Sequence, residues 1–501
     1  MARSNLTSGI EKFWSTSFID QKLNNWVGYI LFPAFAIAVG YLYAHQHLLG
    51  MGFTGAAFSL TIAIICLLNT EAGLYITVVY SFFGFAITRF FYDAFPVGVV
   101  LDILILTTLF SLFVKRIALA DTFSNFVRTP VVITTFILFL YLIIELFNPN
   151  ADSFMGWYQA FRRYFETLLL LFISYKVLDN HRSIKRFLTL LFIVCTITAI
   201  YACIQQWHGL FPGEKNWVMA DKARFALIFI DGNFRKFSTM SDPATFGIVM
   251  GACSILFSVI AVNEKKWLIK LTIIGGLIFM FLGMAYSGTR TANAMAAAGL
   301  MMFAVLTLNK RTSQLFAISL VLAFLFIMYV PIYDNATINR VRTTFHATHD
   351  ESYKVRERNR AYIQPYIYTH PIGGGLGTTG DLGTQYNPGH FLAGFPPDSG
   401  LLKTALEAGW IGLIIICILY FVILKNSIRG YFVSKNNDIQ MLFAGCFSCL
   451  FAFQLADFAQ DAILQVTCVV IYYPLISISL RLRDMNQRNI NKSINENTYR
   501  L

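Results

Sequence analysis

Charge is what this chain has least of. Of its 501 residues, 13% are Asp, Glu, Lys or Arg, 56% are hydrophobic, and mean hydropathy is +0.59. Soluble globular chains carry roughly a quarter charged residues, so a soluble fold is excluded. There is no nucleotide-binding loop, no repeat of inverted halves and no stretch with the composition of a soluble domain. Nucleic acid is therefore not expected as a partner, and the usual internal symmetry of a transporter is missing. Nothing alternates like a barrel strand, which leaves helices as the spanning elements. All eight cysteines (Cys66, Cys195, Cys203, Cys253, Cys417, Cys446, Cys449 and Cys468) fall inside apolar runs, so no external disulfide is expected. Cys446 and Cys449 share a helix face but lack the His or carboxylate neighbours a metal site needs, and read as small buried hydrophobes.

What the chain does have is apolar runs of about 20 residues, the length that crosses a bilayer. They lie near 26–45, 51–68, 72–92, 96–114, 130–147, 160–178, 187–206, 243–262, 267–285, 291–308, 314–333, 400–424, 440–458 and 460–479. The expected fold is an all-α polytopic membrane protein of about 14 transmembrane helices, with a large external loop between spans 11 and 12. Basic clusters orient it. With the N-terminus inside, Lys115/Arg116, the 176–186 cluster, Lys265/Lys266, Lys310/Arg311, Lys425/Arg429/Lys435 and Arg481/Arg483/Arg488 all fall on the cytoplasmic side. The opposite turns, such as 45–49 and 457–461, carry no lysine or arginine. The division is then a cytoplasmic interfacial helix at 1–25, spans 1–11 at 26–333, an external catalytic loop at 334–399, spans 12–14 at 400–480 and a cytoplasmic tail at 481–501.

The net charge of +12 has two parts. The cytoplasmic part is ordinary positive-inside signal that also meets anionic lipid heads. The external part is not: Arg162/Arg163, Lys222, Arg224, Arg235, Lys236, Arg290, and Arg340, Arg342, Arg356, Arg358 and Arg360 of the long loop. Long loops translocate whatever their charge, so a chance excess is one explanation. Arginine in place of lysine favours the other, planar recognition of phosphate or carboxylate.

Three external segments carry candidate chemistry. In 207–242, Arg235 precedes Asp242-Pro243, which reads as a helix cap followed by proline at the first helical position. Arg235 would lie above that helix start, where an anionic group is favoured. In Ser287-Gly-Thr-Arg290, the arginine opens a helix rich in small residues; it either snorkels to lipid phosphate or holds a guanidinium toward a phosphorylated lipid head. The long loop runs from Arg356 and Arg360 through Pro371-Ile-Gly373-Gly-Gly375-Leu-Gly377 and His390 to Asp398-Ser399 and the helix containing Glu407. Glycines followed by an acid at a helix start describe a re-entrant or cavity-lining element.

These segments resemble the superfamily of bacterial O-antigen ligases and Wzy-type O-antigen polymerases, integral-membrane glycosyltransferases of the GT-C class. The resemblance runs from Arg235 to about Leu424. It rests on Asp242-Pro-Ala-Thr-Phe-Gly247, the turn ending at Arg290, the Arg356 segment leading to Gly377, and the span entry Asp398-Ser399, nine residues, Gly409, then Gly412. Many members have histidine where this chain has Asp398, so the catalytic base is expected at Asp398, with His390 as the nearby substitute. The resemblance implies transfer of an undecaprenyl-diphosphate-linked oligosaccharide on the outer face of a bacterial inner membrane, with no metal or other cofactor. Arg290 and Arg235 would neutralise the diphosphate, with Arg356 and Arg360 descending from the loop, and Gly373, Gly375, Gly377 and Ser399 would shape the turns. It also implies an acceptor glycan or lipid, and the company of a flippase and a chain-length regulator. A repeat-unit polymerase is the first expectation and a ligase to lipid A core or protein the second. A transporter of polysaccharide or lipid-linked sugar is the rival from another class, since span count alone suits it equally.

Overall fold

In the computed structural model the described residues are 26–90, 96–114, 119–230, 232–331, 335–345 and 351–498. The interfacial helix expected at 1–25 lies outside them. Apart from a two-residue antiparallel pair, Phe229–Ile230 with Asn233–Phe234, the regular structure is helical. Among the described residues nine helices are long and apolar enough to cross a membrane, and three further apolar helices are shorter. The protein is thus an all-α polytopic membrane protein.

Among the described residues the fourteen apolar runs fall mainly on helix, the last only from Val466, but two are not the plain spans their hydropathy implies. Phe154–Val177 carries Arg162, Arg163 and Glu166 near its middle. The run at 400–424 is cut in two. Gly400–Glu407 is a separate short helix, and the long helix is Gly409–Val433. The break is at Gly409, whose φ of 64° suits only glycine, and a Cβ there would lie 2.0 Å from the Pro371 carbonyl oxygen. The expected external loop at 334–399 is itself largely helical, in Ala336–Thr344, Glu351–Thr369 and Gly380–Tyr386.

Two compact units divide the chain. One comprises 1–73 and 106–119, the other 74–105 and 120–501. Within the first, Trp26–His45 and His47–Leu68 form a hairpin with Phe35 against Phe53, and Thr70 and Ser111 hydroxyls share a 2.8 Å hydrogen bond. Within the second, Pro243–Asn263 is central, with 89% of its span buried, whereas Arg311–Tyr329 lies at the rim with 6%. Close approach at the centre depends on small residues: a Cβ on Gly299 would lie 2.5 Å from Ile255 Cδ1 and 3.1 Å from Ala452 Cβ.

Helix starts gather at the end that the basic residues assign to the outside. Asp242 caps Pro243–Asn263, accepting from the Ala244 and Thr245 amides at 2.8 and 2.9 Å, as its position before proline predicts. Arg290 opens Arg290–Leu306, and Ser399 caps Gly400–Glu407 through the Leu402 amide. The turn 373–377 is seated on the C-terminus of Gly400–Glu407, where the Gly374 amide donates to the Leu406 carbonyl and the Gly375 amide to the Glu407 carbonyl, both at 2.8 Å. A Cβ on Gly373, whose φ is 74°, would lie 2.4 Å from the Gly409 nitrogen and 2.5 Å from the Glu407 carbonyl oxygen. Gly373→Ala is therefore expected to destabilise the protein by roughly 2–4 kcal/mol, measured as a lowered melting temperature in detergent; an unchanged melt would refute this packing.

Candidate functional site

Three arginines from three segments meet at the turn 287–289. Arg235 donates from Nε to the Ser287 carbonyl at 3.0 Å, from Nη2 to Thr289 Oγ1 at 2.9 Å and from Nη1 to the Leu227 carbonyl at 3.3 Å. Thr289 Oγ1 in turn donates to the Pro243 carbonyl at 2.9 Å, which ties Arg235 to the helix start that Asp242 caps. Arg340 donates from Nε to the Gly288 carbonyl at 2.7 Å. Arg290 follows this turn directly, and both Arg340 and Arg290 repel Arg235 electrostatically. Burial, then Arg340 and Arg290, bring the Arg235 guanidinium down to about 10 against the pull of Asp242. It stays protonated at neutral pH. The Asp242 carboxylate is already engaged, with Oδ1 on two amides and Oδ2 on the Ser241 and Thr245 hydroxyls at 2.7 and 2.6 Å. Three guanidiniums beside one occupied carboxylate, at two helix N-termini, make a basin suited to a multiply charged phosphate group.

The segment leading into this basin is held by Arg89, which sequence reading did not single out. Its guanidinium donates to the Ser238 carbonyl at 2.9 Å and to the Met240 carbonyl, and lies 4.4 Å from the Phe237 ring centroid and 4.7 Å from that of Trp217. Ser238 adopts a φ of 53°, unusual for a residue with a side chain. Its amide donates to Gln205 Oε1 and its hydroxyl to the Thr198 carbonyl. Because Arg89 ends a helix 149 residues earlier, only the fold reveals the pairing.

Asp398 is half-buried, just before the Ser399 cap, and makes no hydrogen bond or ion pair among the described residues. Its surroundings carry charge that was missed. Ser399 Oγ donates to the Asp457 carbonyl at 3.2 Å. Asp457 is 3% exposed and accepts from the Tyr420 hydroxyl at 2.8 Å and from the Ala462 and Ile463 amides. Lys403 pairs with Asp461 at 2.9 Å beside a cavity of about 40 Å³, room for about one water. Asp102 pairs with Arg162 at 3.1 Å. Arg163 acts electrostatically on Asp102, Glu166, Lys403 and Asp461, so these charges form one group.

The remaining candidates are placed less centrally. His390 Nδ1 accepts the Leu392 amide at 3.1 Å, so a neutral ring carries its proton on Nε2 and has no lone pair left to serve as a base. Burial and His370 lower its basicity against the pull of Asp152. Arg360 lies 5.5 Å from the ring centroid of Phe458, neighbour of Asp457. Arg342 is occupied at the end of Arg311–Tyr329, donating to the Ile327 and Val330 carbonyls. The Arg356 side chain lies outside the described residues. Gly375 and Gly377 are buried, and a Cβ on Gly377 would lie 2.3 Å from the Gly156 carbonyl oxygen. Tyr362, Phe391, Tyr366 and His370 form a column of rings with successive centroids 6.0, 5.3 and 3.9 Å apart. Tyr362 is 64% and Phe391 56% exposed, so each keeps apolar ring surface open.

Residues 275–417 match the family model described as O-antigen ligase. Over that segment the chain is similar to the O-antigen ligase family. No curated protein matches the chain. The segment takes in Arg290, Arg340, the 373–377 turn, His390 and Asp398, while Arg235 and Asp242 precede it and reach it through Thr289 and Ser287. Members of this family transfer glycosyl groups, and the arginine basin lies at the point where the segment meets the preceding helices. Arg235→Ala would leave the buried Ser287 carbonyl without this donor. The expected cost is roughly 1–3 kcal/mol, read as a drop in melting temperature of the purified protein, and an unshifted melt would show that the turn stands without Arg235.

Proposed function

We propose that the protein transfers an oligosaccharide from undecaprenyl diphosphate on the outer face of a bacterial inner membrane, with a Wzy-type repeat-unit polymerase as the first reading. The observation that carries it is the convergence of Arg235, Arg290 and Arg340 on one turn at two helix starts. In the transfer, an acceptor sugar hydroxyl attacks the anomeric carbon of the donor. The bond from that carbon to the diphosphate oxygen breaks, and its electron pair leaves with undecaprenyl diphosphate. Charge gathers on the departing diphosphate, and fixed guanidiniums lower the barrier by meeting it there. Asp398, whose carboxylate makes no hydrogen bond or ion pair among the described residues, takes the hydroxyl proton. Tyr362 and Phe391 offer flat apolar faces to the sugar rings of the acceptor.

Both termini are assigned to the cytoplasm, the arginine basin to the outside, and Arg356 and Arg360 to the approach of the donor. The ligase is the second reading, favoured by the description of the matching family, and would place the same glycan on lipid A core or a protein side chain. The transporter is disfavoured because the chain shows no repeat of inverted halves.

A gel of surface and lipid-linked glycans from cells lacking the protein separates these readings. Loss of every chain longer than one repeat marks a polymerase. Full-length glycan stranded on the carrier marks a ligase, and absence of external glycan would point to transport. Arg290→Ala should reproduce the deletion while remaining in the membrane. Asp398→Asn should slow transfer roughly 10²–10⁴-fold, whereas His390→Gln should retain it, and the reverse pattern would move the base to His390. Phe391→Ala should weaken acceptor use about ten-fold, in line with the loss of one aromatic contact; unchanged use of acceptor would remove the ring column from the site.

A further inference from the structure

At the opposite end of the Pro243–Asn263 helix, a groove of about 720 Å³ opens among His181–His208, Pro243–Asn263, Trp267–Tyr286 and Asn437–Ala459. Its walls are apolar, including Phe192, Phe257, Ile260 and Ile273. Three lysines line it as well, Lys185 from one helix and Lys265 and Lys266 from the turn between two others. All three are exposed, and among the described residues none of their ammonium groups makes a hydrogen bond or ion pair. The two carboxylates in the lining each have a protein partner. Glu264 Oε1 accepts the Lys266 amide, and Asp438 Oδ1 accepts from Asn263 Nδ2, both at 2.9 Å.

An apolar groove between spanning helices, at the level where the chain leaves the bilayer, is filled by hydrocarbon, because a void forfeits the dispersion contacts of its walls. Which lipid fills it is decided at the lysines. A zwitterionic head brings its own ammonium beside three others, whereas an anionic head brings a net negative charge to them. We propose that this groove is a binding site for one anionic phospholipid of the leaflet facing the cytoplasm, its phosphate held by Lys185, Lys265 and Lys266 and its acyl chains laid along Phe192, Phe257 and Ile273. The site shares no residue with the arginine basin and stands whether or not the glycan reading holds.

The test uses the full-length protein in detergent, exposed to equimolar phosphatidylglycerol and phosphatidylethanolamine and weighed with retained lipid by native mass spectrometry. The wild type is expected to retain one phosphatidylglycerol in preference to phosphatidylethanolamine by about ten-fold or more, since each lysine near a headgroup contributes a favourable term. The triple variant Lys185→Gln, Lys265→Gln, Lys266→Gln should bring that preference to parity. A control of equal charge change, Lys425→Gln, Arg429→Gln, Lys435→Gln, should leave it intact. Equal retention of both lipids by the wild type would overturn the proposal, as would an unchanged preference in the groove variant. Equal loss in the two variants would also overturn it, by showing only the general attraction of a basic face.

Discussion

Like charges do not share a turn unless acceptors hold them there, and for Arg235 and Arg340 the acceptors are backbone carbonyls. The Ser287 and Gly288 oxygens accept from Arg235 and Arg340, and the Thr289 hydroxyl links Arg235 to the Pro243 carbonyl. Gly288 makes the turn with a φ of 59°, and a Cβ there would lie 3.0 Å from Arg340 Nε. On the other side, a Cβ on Gly247 would lie 2.4 Å from Ser287 Oγ, so the turn also fixes how closely Pro243–Asn263 approaches. The helix starts, the arginines and the central packing are therefore set by one short segment. Carbonyl dipoles lessen the repulsion without cancelling the charge, which keeps the guanidiniums attractive to an anion.

A second constraint acts on the neighbouring helices. Charge taken out of water is tolerated when it is paired, since desolvation otherwise costs several kcal/mol per ion. Lys403 with Asp461 and Asp102 with Arg162 meet that condition. Gly400 is required beside Asp457, because a Cβ there would lie 2.4 Å from its Oδ1. The short helix Gly400–Glu407 is thus tied to the turn between Asn437–Ala459 and Val466–Thr498 by an ion pair and to the end of Asn437–Ala459 by Ser399. With its far end fixed to the 373–377 turn, it has no freedom to continue into Gly409–Val433, which accounts for the broken twelfth run.

Features governed by local chemistry were legible in the sequence. Apolar runs became helices because hydrocarbon leaves the backbone no other partner. The Asp242 cap, Arg290 at a helix start and the glycine turn depend on neighbours a few residues away, and each is found as expected. What was illegible depends on distant partners. Arg340 and Arg342 are two residues apart on one helix, yet the first joins the basin while the second closes the end of Arg311–Tyr329. Nothing in their spacing separates them; the direction of each side chain from a helix does. The same holds for Arg89, and for Gly409, whose break is imposed by the Pro371 carbonyl.

Asp398 in place of histidine has an electrostatic consequence. A neutral imidazole can accept a proton beside a diphosphate without repelling it, whereas an ionised carboxylate cannot. A site that uses Asp398 must set cations between base and donor or keep the two apart. Asp398 belongs to the start of Gly400–Glu407, while the basin belongs to the starts of Pro243–Asn263 and Arg290–Leu306. Arg360 stands over Phe458, next to the Asp457 carbonyl that holds Ser399. The carboxylate also has an advantage over His390, whose one acceptor nitrogen is taken by the Leu392 amide. A base must have a lone pair to offer, and of these two groups only Asp398 has one uncommitted.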